Sequence, residues 1–181
     1  LDPTLHSIIE IEKVEKMLKN STSQLQLIDK NFVDLIWENQ PKTQYTNIFD
    51  HPTSFAGQSR SEKLDILKKF LYQNEIDHYF VSGLDNIAWL LNLRADDIKY
   101  TPLLYSYLLI SKNNKHSLYI KESSMPEILK KEIQTLININ NIENIGSIFN
   151  NINPSESIGL DFNSTTFYFL DLLRKQKINT K

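Results

Sequence analysis

Two apolar segments separated by a polar turn constrain the fold of this chain more than any other feature of its sequence. Residues 103–110 (LLYSYLLI) and 116–120 (HSLYI) are rich in the aromatic and branched side chains that strands favour. Asn113 and Asn114 lie between them, and asparagine is common in tight turns. The pattern predicts a β-hairpin of two adjacent antiparallel strands.

Further helices and strands are predicted before and after this hairpin. Apolar residues recur at helical spacing in 60–75, 86–91, 126–136 and 164–175. Short apolar runs at 78–82 and 158–161 predict strands. Asp85 and Ser164 are positioned to cap two of the helices. Helices that alternate with strands around one antiparallel pair predict an α/β fold, in which a mixed β-sheet is flanked by helices.

The first part of the chain is predicted to form a separate unit. Three elements are expected there: a helix over about 3–20, a short strand near 25–27 and a second helix over 32–37. Residues 41–58 then form a polar, proline-containing connector, and such a shift in composition is typical of a domain boundary. We therefore expect two units, 1–57 and 58–181.

The composition argues against several classes of protein. The chain has no cysteine, which excludes disulfides, thiolate metal sites and a cysteine nucleophile, and favours a cytoplasmic location. Its formal net charge is −2, whereas nucleic-acid-binding domains carry a basic face. No apolar run approaches the roughly 20 residues that a membrane-spanning helix requires. We expect neither a nucleic-acid partner nor a membrane segment.

Residues of the kind that perform hydrolysis are few. The chain has four histidines, and none has the His-Glu-x-x-His spacing that places two metal ligands on one face of a helix. His78 begins a predicted strand and His116 follows a turn, so both are expected at surface or sheet-edge positions. No G-x-S-x-G elbow or glycine-rich phosphate loop is present. A Ser–His–Asp triad stays open, because its members can be distant in sequence.

Two segments combine aromatic and charged residues in unusual ways. In 32–37 (FVDLIW), an aromatic helix face is expected to pack against the next element. Further along, Trp89 is expected in the core, whereas Arg94, Asp97 and Tyr100 fall in a polar loop that leads to the hairpin. This loop is either held together by local ion pairs or faces a cleft, where it contacts a charged substrate or a partner domain.

These segments together resemble a known family, the three-domain, cytosolic-type Xaa-Pro aminopeptidases. Residues 85–94 (DNIAWLLNLR) are similar to the family signature D-E-I-A-W-L-x-N-L-R. Three further matches occur in the family's order: 2–6 with D-P-x-L-H, 31–37 with N-L-V-D-x-I-W, and 55–57 with Y-x-G. Ala95 stands where the family usually has glycine. If that position requires a positive φ, alanine would be strained by roughly 1 kcal/mol or more.

The resemblance implies a division of the chain into parts of a larger enzyme. Residues 1–57 would be the C-terminal part of a first creatinase-like domain plus the connector, and 58–181 would be a second creatinase-like domain. The metal-binding catalytic domain would lie outside this chain. That domain would hold two divalent metals, typically manganese, which activate water to attack the bond before proline. No catalytic or metal-ligating residue is therefore expected here.

The resemblance also implies how the chain would act. It would be a non-catalytic scaffold, cleft wall and assembly surface, with Arg94, Asp97 and Tyr100 on the cleft side. The expected partners are the protein's own C-terminal catalytic domain, short proline-containing peptides and a second subunit in a homodimer. The start at Leu1 rather than methionine is expected of a fragment. The alternatives are a free-standing creatinase-like binding module without peptidase activity, and a related creatinase-fold hydrolase of different specificity.

Overall fold

Strands from both halves of the chain form one mixed β-sheet. The computed structural model describes all 181 residues. The strands are β1 (Phe49–Asp50), β2 (His78–Val81), β3 (Leu93–Arg94), β4 (Tyr107–Ser111), β5 (His116–Ile120), β6 (Ile137–Asn141), β7 (Ser157–Leu160) and β8 (Asn179–Thr180). Six of them form a sheet of order β6-β5-β4-β2-β7-β8, in which only β4 runs antiparallel to its neighbours. β1 and β3 form a separate antiparallel pair.

Helices lie on both sides of this sheet, which confirms the predicted α/β fold. They are α1 (Ile8–Leu18), α2 (Phe32–Ile36), α3 (Thr53–Ala56), α4 (Arg60–Gln73), α5 (Leu84–Leu91), α6 (Glu127–Gln134) and α7 (Phe167–Lys175). α4 begins with a reciprocal cap, in which the N–H of Glu62 donates to the Ser59 hydroxyl and the N–H of Ser59 donates to the Glu62 carboxylate. No helix is both long and apolar enough to span a membrane.

One face of the sheet packs against α4, α5 and α6. Leu108 and Ile110 of β4 and Leu118 of β5 point into this layer and are completely buried. On the helix side, Leu64 and Leu71 belong to the same apolar cluster. Because side chains alternate between the two faces of a strand, the intervening residues of β4 and β5 point to the opposite layer.

The opposite face of the sheet packs against α1 and α7 through an aromatic cluster. Phe80 of β2 is completely buried at its centre. Its ring centroid lies 4.6 Å from that of Phe169, 5.4 Å from that of Phe149 and 6.0 Å from that of Tyr107. Such offset and edge-on pairs add to the stabilisation that burial alone provides.

The N-terminal helix α1 contributes to this second core. Ile8 and Ile11 have no exposed surface, and the N–H of Ile8 donates to the carbonyl of Thr165 over 3.0 Å. Residues of the predicted unit 1–57 therefore share a core with residues of 58–181. The division at residue 57 stays a prediction.

The hairpin is present, but its first strand begins later than predicted. β4 pairs with β5 from Tyr107 onward, and 103–106 stand outside the ladder. The reason is that the N–H of Tyr105 donates to the carboxylate of Asp97 instead of to a neighbouring strand. The prediction of a strand near 25–27 is wrong. Leu25 and Leu27 pack against the core that contains α1 and α7, but this segment pairs with no strand.

Several helix ends also differ from the prediction. α5 begins after Gly83, so Asp85 lies in its first turn and does not cap it. α7 begins after Thr166 and not at Ser164. α1 begins after Ser7, because Asp2 instead accepts the N–H and the hydroxyl of Thr4 and thereby holds a local turn. A short polar side chain marks a turn or a helix start equally well, so the exact cap is decided by the surrounding packing.

Strand β6 was not indicated by the sequence analysis. It pairs in parallel with β5, and its first residue, Ile137, is buried in the core between the sheet and the helices α4, α5 and α6. Asparagine alternates with isoleucine in this segment, and because asparagine is uncommon in strands, the sequence pattern did not predict this half-buried strand. β6 therefore covers the outer side of β5.

The expectation that His116 lies at the surface or at a sheet edge is wrong. Because β5 lies between β4 and β6, the side chain of His116 is buried, with 4% of the residue exposed. Its Nδ1 accepts the N–H of Ser111 over 3.1 Å. The same expectation is wrong for His78, which lies on the central strand β2 with only 12% of its side chain exposed.

Helix α2 is capped by Asn31, but its apolar face is not covered as predicted. The side-chain oxygen of Asn31 accepts the N–H of Val33 over 2.8 Å. The apolar side chains of α2 and the following Trp37 are exposed, from 49% for Trp37 to 80% for Ile36. The expectation that this aromatic face packs against the next element of the chain is therefore wrong.

Candidate functional site

A cleft of about 570 Å³ opens at the edge of the sheet where the parallel strands end. Four segments line it: the connector at Thr43 and Tyr45, the end of β2 at Ser82 and Leu84, the approach to β4 at 105–107, and the turn after β6 at Ile142, Glu143 and Ile145. In open α/β sheets, ligands bind at this carboxyl edge. The cleft is therefore the candidate site that this chain contains by itself.

Asp97, a predicted site residue, clamps two walls of this cleft. Its Oδ1 accepts the N–H of Thr46 over 2.7 Å and the Thr46 hydroxyl over 3.0 Å. Its Oδ2 accepts the N–H of Tyr105 over 2.9 Å. Because Thr46 adjoins Tyr45, a single carboxylate fixes the backbone beside both tyrosines. The two rings meet edge to face, with their centroids 6.1 Å apart.

Arg94, the second predicted site residue, supports the base of the same loop. Its Nη1 donates to the carbonyl of Ala88 over 2.5 Å and to that of Leu93 over 2.9 Å. Arg94 is not among the residues that line the cleft. The loop is therefore held by hydrogen bonds to the backbone and to Thr46, and not by ion pairs between Arg94 and Asp97.

Two further cations bind the C-terminal end of α5. The Lys63 Nζ donates to the carbonyl of Trp89 and to the side-chain oxygen of Asn92, both over 2.7 Å. The Arg60 Nε donates to the carbonyl of Leu91 over 3.0 Å. The last carbonyls of a helix lack partners within it and carry the negative end of its dipole, so cations stabilise this end.

Trp89 is exposed, which corrects the expectation that it fills the core. The residue is 55% exposed, and the Lys63 Nζ lies 4.4 Å from the centroid of its ring. Burial lowers the pKa of Lys63, and the nearby charge of Arg94 lowers it further. The buried face of α5 is formed by Ile87 and Leu91, one turn apart, and Trp89 lies between them in sequence and therefore on the other side of the helix.

Tyr100, the third predicted site residue, stands at the tip of the loop with 91% of its surface exposed. Its φ is +67°, a left-handed conformation that is uncommon for residues other than glycine. Ala95 is completely buried, and its φ is not positive, so the strain that was considered for alanine there does not arise. The placement of Arg94, Asp97 and Tyr100 on a substrate cleft stays a prediction.

Neither a cluster of metal ligands nor a serine–histidine pair lies in the cleft. The structure brings together no group of three His, Asp or Glu side chains that could hold a metal ion. The Ser82 hydroxyl lies 3.3 Å from the Thr165 hydroxyl, without a histidine to activate it. The Tyr107 hydroxyl is protonated at neutral pH, as a tyrosine ordinarily is, and burial raises its pKa further. The arrangement is suited to binding.

Asp97 was predicted as a site residue from the sequence, whereas Tyr105 and Glu143 were not. The signal for Tyr105 was the Y-S-Y repeat at 105–107 that leads into β4, because alternate residues of an extended segment point to the same side. Glu143 had no signal, because its position depends on the unpredicted strand β6.

Comparison with known proteins places this fold in a family. A family model described as "Creatinase/Prolidase N-terminal domain" matches residues 39–181. The probable Xaa-Pro aminopeptidase P of Ajellomyces dermatitidis (strain ER-3 / ATCC MYA-2586) is 33% identical over 150 residues, which are 82% of this chain and 24% of that protein. The protein of the same name from Paracoccidioides brasiliensis (strain Pb18) is 34% identical over 134 residues, 74% of this chain and 22% of that protein.

A solved structure has the same fold. The X-prolyl aminopeptidase of Caenorhabditis elegans, described as a cytosolic enzyme with a di-nuclear active site, superposes with a TM-score of 0.88 and 24% identity over 99% of this chain and 30% of its own. The chain thus spans about a quarter of the length of the curated relatives. The resemblance to Xaa-Pro aminopeptidases that the motifs indicated is confirmed. With residues 39–181 matched, the chain belongs to the Creatinase/Prolidase N-terminal domain family.

Proposed function

We propose that this chain is the non-catalytic N-terminal region of a Xaa-Pro aminopeptidase and serves there as scaffold, cleft wall and assembly surface. The observation that carries the proposal is the match to probable Xaa-Pro aminopeptidases P, of which the chain spans about a quarter. Under this proposal, a C-terminal domain outside the chain cleaves the bond before proline with two divalent metals, which we take to be manganese. The residues of this chain do not fit such a metal pair, because no group of three His, Asp or Glu side chains converges.

A loop held by hydrogen bonds, together with two exposed aromatic side chains, supports the role of cleft wall. Asp97 and Arg94 hold the loop through hydrogen bonds to the backbone. Tyr100 at its tip and Trp89 on α5 are left exposed. In the proposed enzyme, Arg94 and Asp97 position the loop, and Tyr100 contacts the peptide or the catalytic domain.

The exposed apolar surface of α2 supports the role in assembly. A contiguous apolar surface on a folded domain commonly marks an interaction site, and the apolar residues of α2 are all exposed. The proposed partners are the protein's own catalytic domain, short proline-containing peptides and a second subunit. A cytoplasmic location is part of the same proposal, in line with the description of the C. elegans relative as a cytosolic enzyme.

The test compares the 181-residue chain with the full product of its gene on a short Xaa-Pro peptide, with and without manganese. We expect no hydrolysis by the chain alone and metal-dependent hydrolysis by the full product. In the full product, Arg94→Ala is expected to raise KM or lower kcat, because the loop loses its support. Tyr72→Ala, at an exposed position on α4, is the control.

Two results would contradict the proposal. The first is hydrolysis by the 181-residue chain alone, and the second is a full product without peptidase activity. The second result would favour the free-standing binding module instead. Unchanged kinetics of Arg94→Ala would remove only the assigned role of the loop.

A further inference from the structure

The cleft at the carboxyl edge of the sheet has a lining that indicates one class of ligand. Tyr45, Tyr105 and Tyr107 line it, and Glu143 is the only charged residue among the lining side chains. Tyrosine faces carry the negative part of the ring quadrupole and attract cations within about 6 Å of the ring centroid. Aromatic faces beside a carboxylate favour a positively charged group over a neutral or negative one.

The aromatic walls are held in position before any ligand binds. Tyr45 and Tyr105 meet at an interplanar angle of 77°, so that their rings form a corner. Tyr107 stacks on the buried Phe80, with the ring planes only 12° apart. Asp97 fixes the backbone beside Tyr45 and at Tyr105. A site that is ordered in advance loses little conformational freedom on binding.

The carboxylate of Glu143 retains a free oxygen for a ligand. Its Oε1 forms a salt bridge with the Lys121 Nζ over 2.5 Å, whereas its Oε2 has no hydrogen-bond partner in the protein, so a bound cation would share this carboxylate with Lys121. The side chain is 65% exposed and is therefore accessible from solvent. Tyr107 is uncharged at neutral pH and burial raises its pKa further, so it adds no second anion to the cleft.

We propose that this cleft binds an organic cation, namely the basic side chain of a peptide. The volume of about 570 Å³ lies in the range of small-ligand sites and accommodates a complete arginine or lysine residue. In the bound state, the cationic group lies against the faces of Tyr45 and Tyr105, with Glu143 Oε2 accepting one of its N–H groups. This site needs no catalytic domain, so the inference is independent of the proposed function.

The test titrates acetyl-arginine amide into the isotope-labelled 181-residue chain and follows the backbone amide signals by NMR. The matched ligand is acetyl-citrulline amide, which has nearly the same shape and no charge. We expect saturable shifts at Tyr45, Tyr105 and Glu143, and affinity for the citrulline compound that is weaker by about 5-fold or more, since it loses cation–π contacts of two rings. Added salt should lower the affinity for acetyl-arginine amide more than the affinity for acetyl-citrulline amide.

Variants of the chain locate the site. Tyr45→Leu and Glu143→Gln are each expected to lower the affinity of the chain for acetyl-arginine amide by about 2- to 5-fold. Tyr72→Leu, at an exposed position outside the cleft, should leave the affinity unchanged. Equal affinity for the two ligands, shifts that are not saturable, or variants in the cleft that bind like Tyr72→Leu would each overturn the proposal. None of these results depends on peptidase activity.

Discussion

The carboxylate of Asp77 joins three strands of the sheet, and its removal is expected to weaken the fold in a pH-dependent way. Asp77 precedes β2, and its Oδ2 accepts the N–H of Ser157 over 2.8 Å and the Ser157 hydroxyl over 3.0 Å. Its other oxygen forms an ion pair with Lys112, directly after β4. Only 20% of the Asp77 side chain is exposed, so solvent screens these contacts weakly.

The pKa of Asp77 gives the size of the effect. Burial by itself raises this pKa, but the hydrogen bonds from Lys112 and Ser157 outweigh it and lower the pKa from 3.8 to about 2. A difference of nearly two pKa units corresponds to about 2–3 kcal/mol, at about 1.4 kcal/mol per unit. The folded chain therefore binds this proton less readily than the unfolded chain. The stabilisation is complete well above the unfolded pKa of 3.8 and is lost as the pH falls toward about 2.

Urea unfolding of Asp77→Asn measures this contribution directly. At pH 7 we expect a free energy of unfolding that is lower than that of the parent chain by about 2–3 kcal/mol. The difference in unfolding free energy between the two proteins should shrink steadily below pH 4, because Asp77 of the parent chain becomes protonated and loses its charge. Asp65→Asn is the matched control, since Asp65 pairs with Lys68 at the surface and its side chain is 59% exposed. That variant should change the stability by less than about 1 kcal/mol.

Either of two outcomes would refute this reasoning. The first is a loss in Asp77→Asn that is no larger than in Asp65→Asn. The second is a loss at pH 7 that persists unchanged at pH 3, since a pH-independent loss would come from packing and not from the charge of Asp77.

Two further predictions concern the sheet. Gly159→Ala is expected to destabilise the chain by about 1–3 kcal/mol, because its Cβ would lie 2.5 Å from Cδ2 of Tyr79 on the neighbouring strand. Thermal melting should separate it from Gly146→Ala, whose nearest contact would be 3.4 Å, and equal melting temperatures would contradict the prediction. Burial lowers the pKa of His116, and the charge of Lys68 lowers it further, so stability should fall as the pH drops below the unfolded pKa of 6.5. An NMR titration that places the pKa of His116 at or above 6.5 would contradict this.

The fold class was predictable because the strongest strands of this chain differ clearly from its helices in their apolar pattern. β2, β5 and β7 were predicted from short apolar runs, and α4 from the helical spacing of its apolar residues. Strand β6 was missed because asparagine alternates there with isoleucine, and asparagine is rare in strands. Pairing with β5 and burial of Ile137 outweigh that low propensity.

The sequence by itself determined the family, the order of most elements and the residues of the loop after α5. Only the tertiary structure decided what those residues contact. Asp97 binds Thr46, which lies 51 positions earlier, and local sequence carries no information about contacts at such a separation. Trp89 is exposed because Ile87 and Leu91 occupy the side of α5 that faces the sheet. The helical pattern allowed Trp89 on either side, and the packing of α5 against the sheet selected one.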